Sequence, residues 1–440
     1  MLQYRNGILH VDGASVRDLT AARETPFFLF SAGRLDANYA ALATGLAAAG
    51  VSWRVRYCAK SNFEPALLTR LATAGADVLV SHVAEAELAR DCGFAAERIA
   101  FQKPVLIESE LRAVLGLGIS HIHILRPADV DTLATCAAAA GRRIHVSLRL
   151  CNDRGISPLA RWSARLGMSA VEACAAAARV CKCQHLEFHG LHFYIGTQRG
   201  TPSAFVPLLD RALRVAAALR TAAGVSVVEI DVGGGIPSPT LRRGAWGGLW
   251  QRLRHDADPP DPVDPVEAVR LFTAELGRVY RERVQRAGLE PLPVLVVEPG
   301  RAVAGNAAIL VTRVSSVRGR WVFLDASRNH LPESPFLFTR RVLPVVLNES
   351  APRCFRHLSG ATLNTTDVMD LARRLPPLQP GDLLALCDAG AYSLARACRY
   401  AGLTPAAYLL DERGVLQSIR RAECRADLTA VAAPREDAHG

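Results

Sequence analysis

Val55-Arg56-Tyr57-Cys58-Ala59-Lys60-Ser61-Asn62 is a run of β-forming residues that ends on a lysine and leads into a helix-like segment. Lysine is scarce in this chain. Lys60, Lys103 and Lys182 are the only three among 52 basic residues, so arginine carries nearly all the positive charge. Arginine stays protonated at any working pH, whereas a lysine whose pKa is lowered by burial supplies a free amine that condenses with a carbonyl. A lysine at the C-terminal end of a strand stands where an α/β enzyme gathers its chemistry. The bland alternative is a solvated strand end in a chain whose lysine content follows base composition. The rest of the sequence decides between the two.

Outward from Lys60 the pattern is regular. Strand-like runs occur at Arg54 to Ala59, Asp77 to Ser81, Arg98 to Gln102, His121 to Leu125, Arg143 to Leu150, Leu186 to Ile195, Val225 to Val232 and Pro293 to Glu298. Between them lie alanine- and leucine-rich segments at helical spacing, among them Leu35 to Ala49, Glu64 to Ala74, Glu108 to Leu117 and Ala170 to Cys181. Alternation of this kind implies βαβ units and a parallel sheet. Eight such units over about 250 residues predict an α/β fold of the (β/α)8, TIM-like barrel type, with a doubly wound sheet as the competitor. Ser238 to Val263, rich in Gly, Pro, Trp and Asp, reads as a loop.

After Arg301 the texture changes to β-like runs, such as Ala307 to Val314, Trp321 to Asp325, Arg340 to Leu347, Leu383 to Cys387 and Tyr408 to Arg413. A C-terminal β-barrel or β-sandwich domain follows, joined by the β-rich N-terminal lead-in. The expected division is a barrel over 32–300, a mostly β domain from 1–31 with 301–428, and a flexible tail over 429–440.

Composition narrows the function. Half the residues are hydrophobic, enough for a large core without disulfide staples. Eleven scattered cysteines, an odd number, suit free thiols in a reducing, cytoplasmic setting. The opening Met1-Leu2-Gln3-Tyr4-Arg5 has no signal-peptide core, and no apolar stretch reaches membrane-spanning length. The net charge of +10 comes from dispersed arginines with 6% aromatics, which argues against nucleic acid and for an anionic small molecule. Cys181-Lys182-Cys183 with His185 lacks a second ligand pair at zinc-like spacing and reads as a helix end, so no metal is expected.

Four further stretches carry chemistry. Asp231-Val232-Gly233-Gly234-Gly235 closes a strand with three glycines, which let backbone N–H groups approach an anion; a tight turn explains them equally well. Glu298-Pro299-Gly300-Arg301 sets a carboxylate and a guanidinium three residues apart, suited to a ligand with a protonated ring nitrogen and a phosphate. His192, Tyr194 and Thr197 follow another strand, and Asp388-Ala389-Gly390-Ala391-Tyr392 lies in the β domain. An amine, a phosphate cradle and a Glu/Arg pair together point to pyridoxal 5′-phosphate.

These motifs, in this order, resemble the diaminopimelate and ornithine decarboxylase family of pyridoxal-phosphate enzymes, on the alanine-racemase-like barrel fold. The likeness runs from Thr25-Pro26 to about Tyr392. Tyr57 to Asn62 match the Schiff-base lysine motif, Arg165-Leu166-Gly167-Met168 a basic-aromatic-Gly segment, and Asp388 to Tyr392 the Asp-Ala-Gly-Ala-Tyr motif. The resemblance implies that Lys60 holds the cofactor and that Glu298 pairs with its ring nitrogen. It gives the phosphate to Gly233, Gly234, Gly235, Gly300, Arg301 and Thr197, and places Tyr194 and Tyr392 beside the cofactor. It further implies a homodimer with shared active sites and an amino-acid substrate met by Arg165, Glu333, Leu363, Asn364 and Tyr392.

The substrate side departs from the family. Tyr194 stands where a histidine usually stacks on the ring, and Thr197 replaces a serine while keeping the hydroxyl. In Gly360 to Val368, Leu363 and Asn364 replace a Cys-Glu-Ser or Cys-Asp sequence whose cysteine is tied to proton delivery. By spacing, Glu333-Ser334 occupies the place of an Arg-Pro pair that binds the distal carboxylate of diaminopimelate. Like-charge repulsion by Glu333 then disfavours that substrate and favours a distal amine, a neutral group or a natural-product intermediate. Lys60, His192 or a water is the expected proton donor. Racemisation, deamination, decarboxylation-coupled oxidation on the same cofactor, and a catalytically dead binding homologue are the alternatives.

Overall fold

The computed structural model describes residues 1–152, 165–243, 264–335 and 337–430. They form two compact units: 34–240 with 264–305, and 1–33 with 241–243 and 306–430. The sequence assigns 241–243 to the barrel; instead Arg242–Arg243 pairs with Phe338–Thr339 in the second unit, so the start of the expected 238–263 loop is a short strand. Residues 244–263, and 431–440 of the expected tail, lie outside the described residues.

The first unit is a closed barrel of eight parallel strands: β1 (Trp53–Cys58), β2 (Asp77–Val80), β3 (Ile99–Gln102), β4 (His121–Ile124), β5 (Ile144–Arg149), β6 (Leu186–His192), β7 (Glu229–Asp231) and β8 (Val294–Val297). Each strand pairs with the next in the chain, and β8 returns to β1. Every strand-like run of the first 300 residues supplies one of them. Helices between the strands start and stop on local signals. Ser169 and Glu172 form a reciprocal capping box ahead of Ala170–Lys182. The helix Val206–Ala223 ends on Gly224, whose φ of 62° suits a residue without a Cβ. Its inner face buries Leu208, Leu209, Ala212, Leu213, Val215, Ala216 and Leu219, and each fully buried leucine stabilises by about 1.5–3 kcal/mol.

The lumen is unusual for such a barrel, which is commonly filled by layers of Val, Ile and Leu. Here Arg56, Gln102, His123, Ser147, His192, Glu229 and Asp231 are all buried. Arg56 on β1 meets His123 on β4 and both Glu229 and Asp231 on β7. None of these strands is a hydrogen-bonded neighbour of β1, so the contacts cross the lumen. The apolar residues that alternate with them, Ile122, Val146, Leu148 and Ile230, are buried on the other strand face.

In the second unit the long strand Ala308–Arg318 pairs antiparallel with Phe27–Ser31, Trp321–Leu324 and Leu383–Leu386. Its core gathers Leu9, Val11, Phe27, Leu29, Ile309, Val311 and Leu410. Besides the short pair Arg242–Arg243 and Phe338–Thr339, three strands escape the sequence reading: Cys354–Ser359, Val368–Leu375 and Leu416–Arg420. Cys354–Ser359 and Leu416–Arg420 are exposed or half-buried at all but one position, and the middle strand carries Asp370, Arg373 and Arg374 while burying five of its eight residues. Among the described residues no helix is long and apolar enough to cross a membrane.

Candidate active site

Lys60 sits just beyond β1, in a single 3-10 turn over Ala59–Ser61. The turn is held from several sides. Ser61 Oγ donates to Cys58 O at 2.8 Å, Tyr57 OH donates to Asn62 O at 3.0 Å, and Cys58 N donates to Pro299 O at 3.1 Å. Ala59 and Ser61 are buried and Lys60 is exposed, so the fold presents this one side chain. Contrary to the sequence expectation, its ammonium is held above the ordinary lysine value. The first cause is negative charge on Cys58, and Glu298 adds to it. Burial pushes the Cys58 thiol up to about 11, and the neighbouring Lys60 ammonium acts against that rise.

Gly233, Gly234 and Gly235 run between the ends of β6 and β8. A Cβ on them would stand 2.5 Å from Phe193 O, 2.8 Å from Glu298 O and 2.5 Å from Gly196 O respectively. Gly233 and Gly235 also have φ of 69° and 106°, in the left-handed region. Glu298 N donates to Gly233 O and Arg199 N to Gly235 O, which ties this turn to its neighbours. Gly300 caps the short helix Arg301–Ala304, and buried Arg301 donates through Nε to Thr197 Oγ1 at 3.2 Å. Backbone N–H groups, a hydroxyl and a guanidinium thus collect on one side of the barrel mouth, an arrangement suited to an anion.

Glu298 is 5% exposed, and its Oε1 has no hydrogen-bond partner among the described residues. His192 Nε2 stands 3.3 Å from Glu298 Oε2 without the alignment of a hydrogen bond. Gln102 Nε2 lies 3.0 Å from His192 Nδ1. The amide donates there, so the ring proton is on Nε2. Burial lowers His192 to about 3, which keeps the ring neutral near pH 7. A neutral, buried ring is a poor proton source. Tyr194 is half-buried, with the Arg149 guanidinium 5.9 Å from its ring centroid and Gly234 alongside.

A buried carboxylate oxygen lacking a donor, a presented amine and a glycine cradle beside a guanidinium together fit a phosphorylated pyridine aldehyde. Two groups of three, His121/His123/Glu229 and His123/His192/Glu298, also hold potential metal-ligand atoms within 4.8 Å of one another. Arg56 already occupies the first: its Nη1 is 3.4 Å from His123 Nε2 and its Nη2 is 3.4 Å from Glu229 Oε2. A guanidinium there opposes a second cation.

Lys60, His192, Tyr194, Thr197, Gly233, Gly234, Gly235, Glu298, Gly300 and Arg301 thus gather at one end of the barrel, beside Asp231, Arg56, Gln102 and Arg149, which sequence reasoning did not single out. Arg165 is exposed, in the segment where Met168 bridges to Leu150 just past β5. The remaining candidates belong to the second unit. Asp388 and Tyr392 bound the Asp-Ala-Gly-Ala-Tyr motif with φ of 54° and 57°, a conformation that costs a bulky L-residue about 1–2 kcal/mol. Glu333 does not present the bare charge that the sequence suggests: it is buried and ion-paired with Arg340 at 3.3 Å. Leu363 is fully exposed and Asn364 exposed on a loop braced by Asp367, whose Oδ2 accepts from Thr362 N and Oγ1 and whose Oδ1 accepts from Arg328 N.

Comparison with known proteins agrees with this geometry. A family model for the pyridoxal-dependent decarboxylases, pyridoxal binding domain, matches residues 34–305. The chain is 28% identical to a diaminopimelate decarboxylase of Pseudomonas aeruginosa over 97% of both chains, and 25% identical to one of Aquifex aeolicus over 96% of this chain and 95% of the other. Among solved structures, diaminopimelate decarboxylase from M. jannaschii in co-complex with L-lysine superposes with a TM-score of 0.86 at 20% identity, covering 99% of this chain and 98% of that one.

Proposed function

From the premise that the chain belongs to the pyridoxal-dependent decarboxylases and uses pyridoxal 5′-phosphate on an amino acid, we propose that its substrate carries no distal carboxylate. The observation behind this reading is the Glu333–Arg340 pair. Where the family resemblance expects an arginine to bind a distal carboxylate, this chain has Glu333, and the ion pair offsets the charge of both partners. Discrimination then comes from a missing clamp, not from the repulsion that sequence alone suggests. Leu363, in place of the usual cysteine, removes a further polar contact. The competing substrate, diaminopimelate itself, is favoured by the names of the relatives. Mass analysis of products from meso-diaminopimelate, lysine, ornithine and arginine separates the two. Efficient loss of CO2 from meso-diaminopimelate would sink the proposal.

In this reading Lys60 holds the cofactor through its amine, Glu298 receives the ring nitrogen, and Tyr194 lies along the ring. Gly233 to Gly235, Gly300, Arg301 and Thr197 hold the phosphate. Bound there, the cofactor supplies the electron sink for the pair left as the carboxylate departs. Lys60 is the residue placed to return a proton to the substrate carbon: its raised pKa keeps the free amine protonated, and it is presented at the mouth while His192 is neutral and buried behind Glu298. The working form in this reading is a homodimer, in which the braced loop around Leu363 serves the partner's site. The feature behind it is Leu363, a side chain 103% exposed on the loop that Asp367 braces. Sedimentation of wild type and Leu363→Asp checks it, and a monomeric wild type with full activity would refute it.

A further inference from the structure

Arg149 on β5, Gln102 on β3, His192 on β6 and Glu298 just past β8 form a continuous chain of polar contacts. Arg149 Nη1 lies 3.4 Å from Gln102 Oε1, Gln102 Nε2 lies 3.0 Å from His192 Nδ1, and His192 Nε2 lies 3.3 Å from Glu298 Oε2. A guanidinium only donates, so Arg149 fixes the amide oxygen of Gln102 toward itself and the NH2 group toward the imidazoles. Both amide hydrogens are used, since Gln102 Nε2 also reaches His123 Nδ1 at 3.2 Å. The 3.4 Å approach of Arg56 Nη1 to His123 Nε2 is then left without an acceptor, which is the cost of this arrangement. Gln102, His123 and His192 are all buried, and which ring nitrogen carries the proton is set by the hydrogen bond that the other one makes.

We infer that Gln102, oriented by Arg149, is a positioning residue that turns the single N–H of His192 toward Glu298 and thereby holds Glu298 in the form that a protonated ring nitrogen requires. This rests on the reading of Glu298 as the partner of that nitrogen. His192 Nε2 has no other partner among the described residues, so its hydrogen is available to Glu298 Oε2, while Oε1 stays open. Burial pushes the Glu298 carboxyl up, toward the protonated acid. A donor facing the carboxylate opposes that push. The opposite tautomer would set a lone pair against Oε2 and favour an acid that takes the proton from the ring nitrogen. Asp231, Arg149, Arg56 and Lys60 act on both His192 and Glu298, the Cys58 thiol acts on Glu298, and the His123 ring packs 5.1 Å from that of His192. Gln102 therefore acts on the ring site through two intervening contacts, from a strand that contributes no other residue to it.

Two measurements test this. The first uses cofactor-free, full-length protein labelled with ¹⁵N in its histidine rings, with the His192 signals identified by their loss in His192→Gln. Wild type should carry the His192 proton on Nε2 and none on Nδ1. Gln102→Glu, whose carboxylate beside Arg149 only accepts, should bring a proton to Nδ1. Gln102→Leu removes the donor and should move the Nδ1 resonance away from its hydrogen-bonded position; it decides the matter if Gln102→Glu does not fold. A wild-type proton on Nδ1, or an Nδ1 signal indifferent to substitution of Gln102, would overturn the inference. The second measurement loads pyridoxal 5′-phosphate labelled with ¹⁵N in its ring. The pH at which that nitrogen loses its proton should fall by about one to two units from wild type to Gln102→Glu. The same pH in both would also overturn the inference. A wild type that binds no pyridoxal 5′-phosphate, or binds it with an unprotonated ring nitrogen, would overturn the reading of Glu298 instead, and the tautomer found in the cofactor-free protein tells the two failures apart.

Discussion

Arg56 Nη1 on β1 lies 2.7 Å from Asp231 Oδ2 on β7, across the barrel lumen, with both side chains almost wholly out of solvent. Removing one partner of such a pair leaves the other charge stranded, at a cost of about 3–5 kcal/mol. Arg56→Met should therefore lose about that much stability in urea denaturation followed by circular dichroism. The double variant Arg56→Met/Asp231→Leu should recover part of the loss, since it strands one charge fewer. A single variant as stable as wild type would mean that water already screens the pair.

Acid should unfold the protein through its lumen histidines. Burial lowers His121 to about 4 and His192 to about 3, and lowers His123 well below its usual range. Their folded pKa values lie below the unfolded value of about 6.5, so the unfolded chain binds more protons in this window. The stability they contribute is present above pH 6.5 and is lost as pH falls toward the folded values. His121 alone accounts for roughly 3 kcal/mol between pH 7 and pH 4 at 1.36 kcal/mol per unit. The raised carboxyls of Asp231 and Glu298 act with the opposite sign, each favouring a proton that the unfolded chain gives up above about pH 5. Three histidines outweigh two carboxyls below about pH 6.5, so denaturation midpoints should fall from there to pH 4.5. A flat profile over that range would contradict a dry lumen.

Gly235→Ala tests the anion cradle. The new Cβ meets Gly196 O at 2.5 Å on a backbone at φ 106°, so the turn must shift. Affinity for pyridoxal 5′-phosphate should fall at least about tenfold, equivalent to 1.4 kcal/mol, as read by absorbance titration. Unchanged affinity would place the phosphate elsewhere.

Lys60→Ala should abolish the near-visible absorbance of lysine-bound cofactor. Folding stability should stay within about 0.5 kcal/mol, because the side chain is exposed and the turn is held by Ser61 and Tyr57. An unchanged spectrum would refute the assignment of this amine.

Much of the barrel can be read from the chain because parallel strands covered on the outside appear as short apolar runs between alanine-rich helices. The polar lumen was also visible, in the pairs Arg56/Cys58, His121/His123, His145/Ser147 and Glu229/Asp231, since residues two apart share one strand face. Each pair by itself looks like a stray polar residue near a strand end. Which of them meet is decided by closure of the sheet, and that information is not local. Glu333 makes the same point in the second unit: its position follows from spacing, but its neutralisation by Arg340 depends on how the segment folds back. The pKa of Lys60 follows the same rule: burial alone lowers a lysine, whereas the negative charge of Cys58 and then of Glu298, set beside it by folding, raises it.

The division of the barrel strands into an apolar outer face and a charged inner one separates two properties that an engineer would want to change independently. Heat tolerance resides in the annulus between strands and helices, where aliphatic repacking can proceed without touching a titrating group. The chemistry that we propose draws on the lumen, where an exchange of Arg56, Gln102, His123 or Asp231 would disturb the buried network that meets His192 and Glu298. Random mutagenesis of this scaffold should therefore yield thermostable variants from the annulus and altered reaction outcomes from the lumen, with little overlap between the two sets.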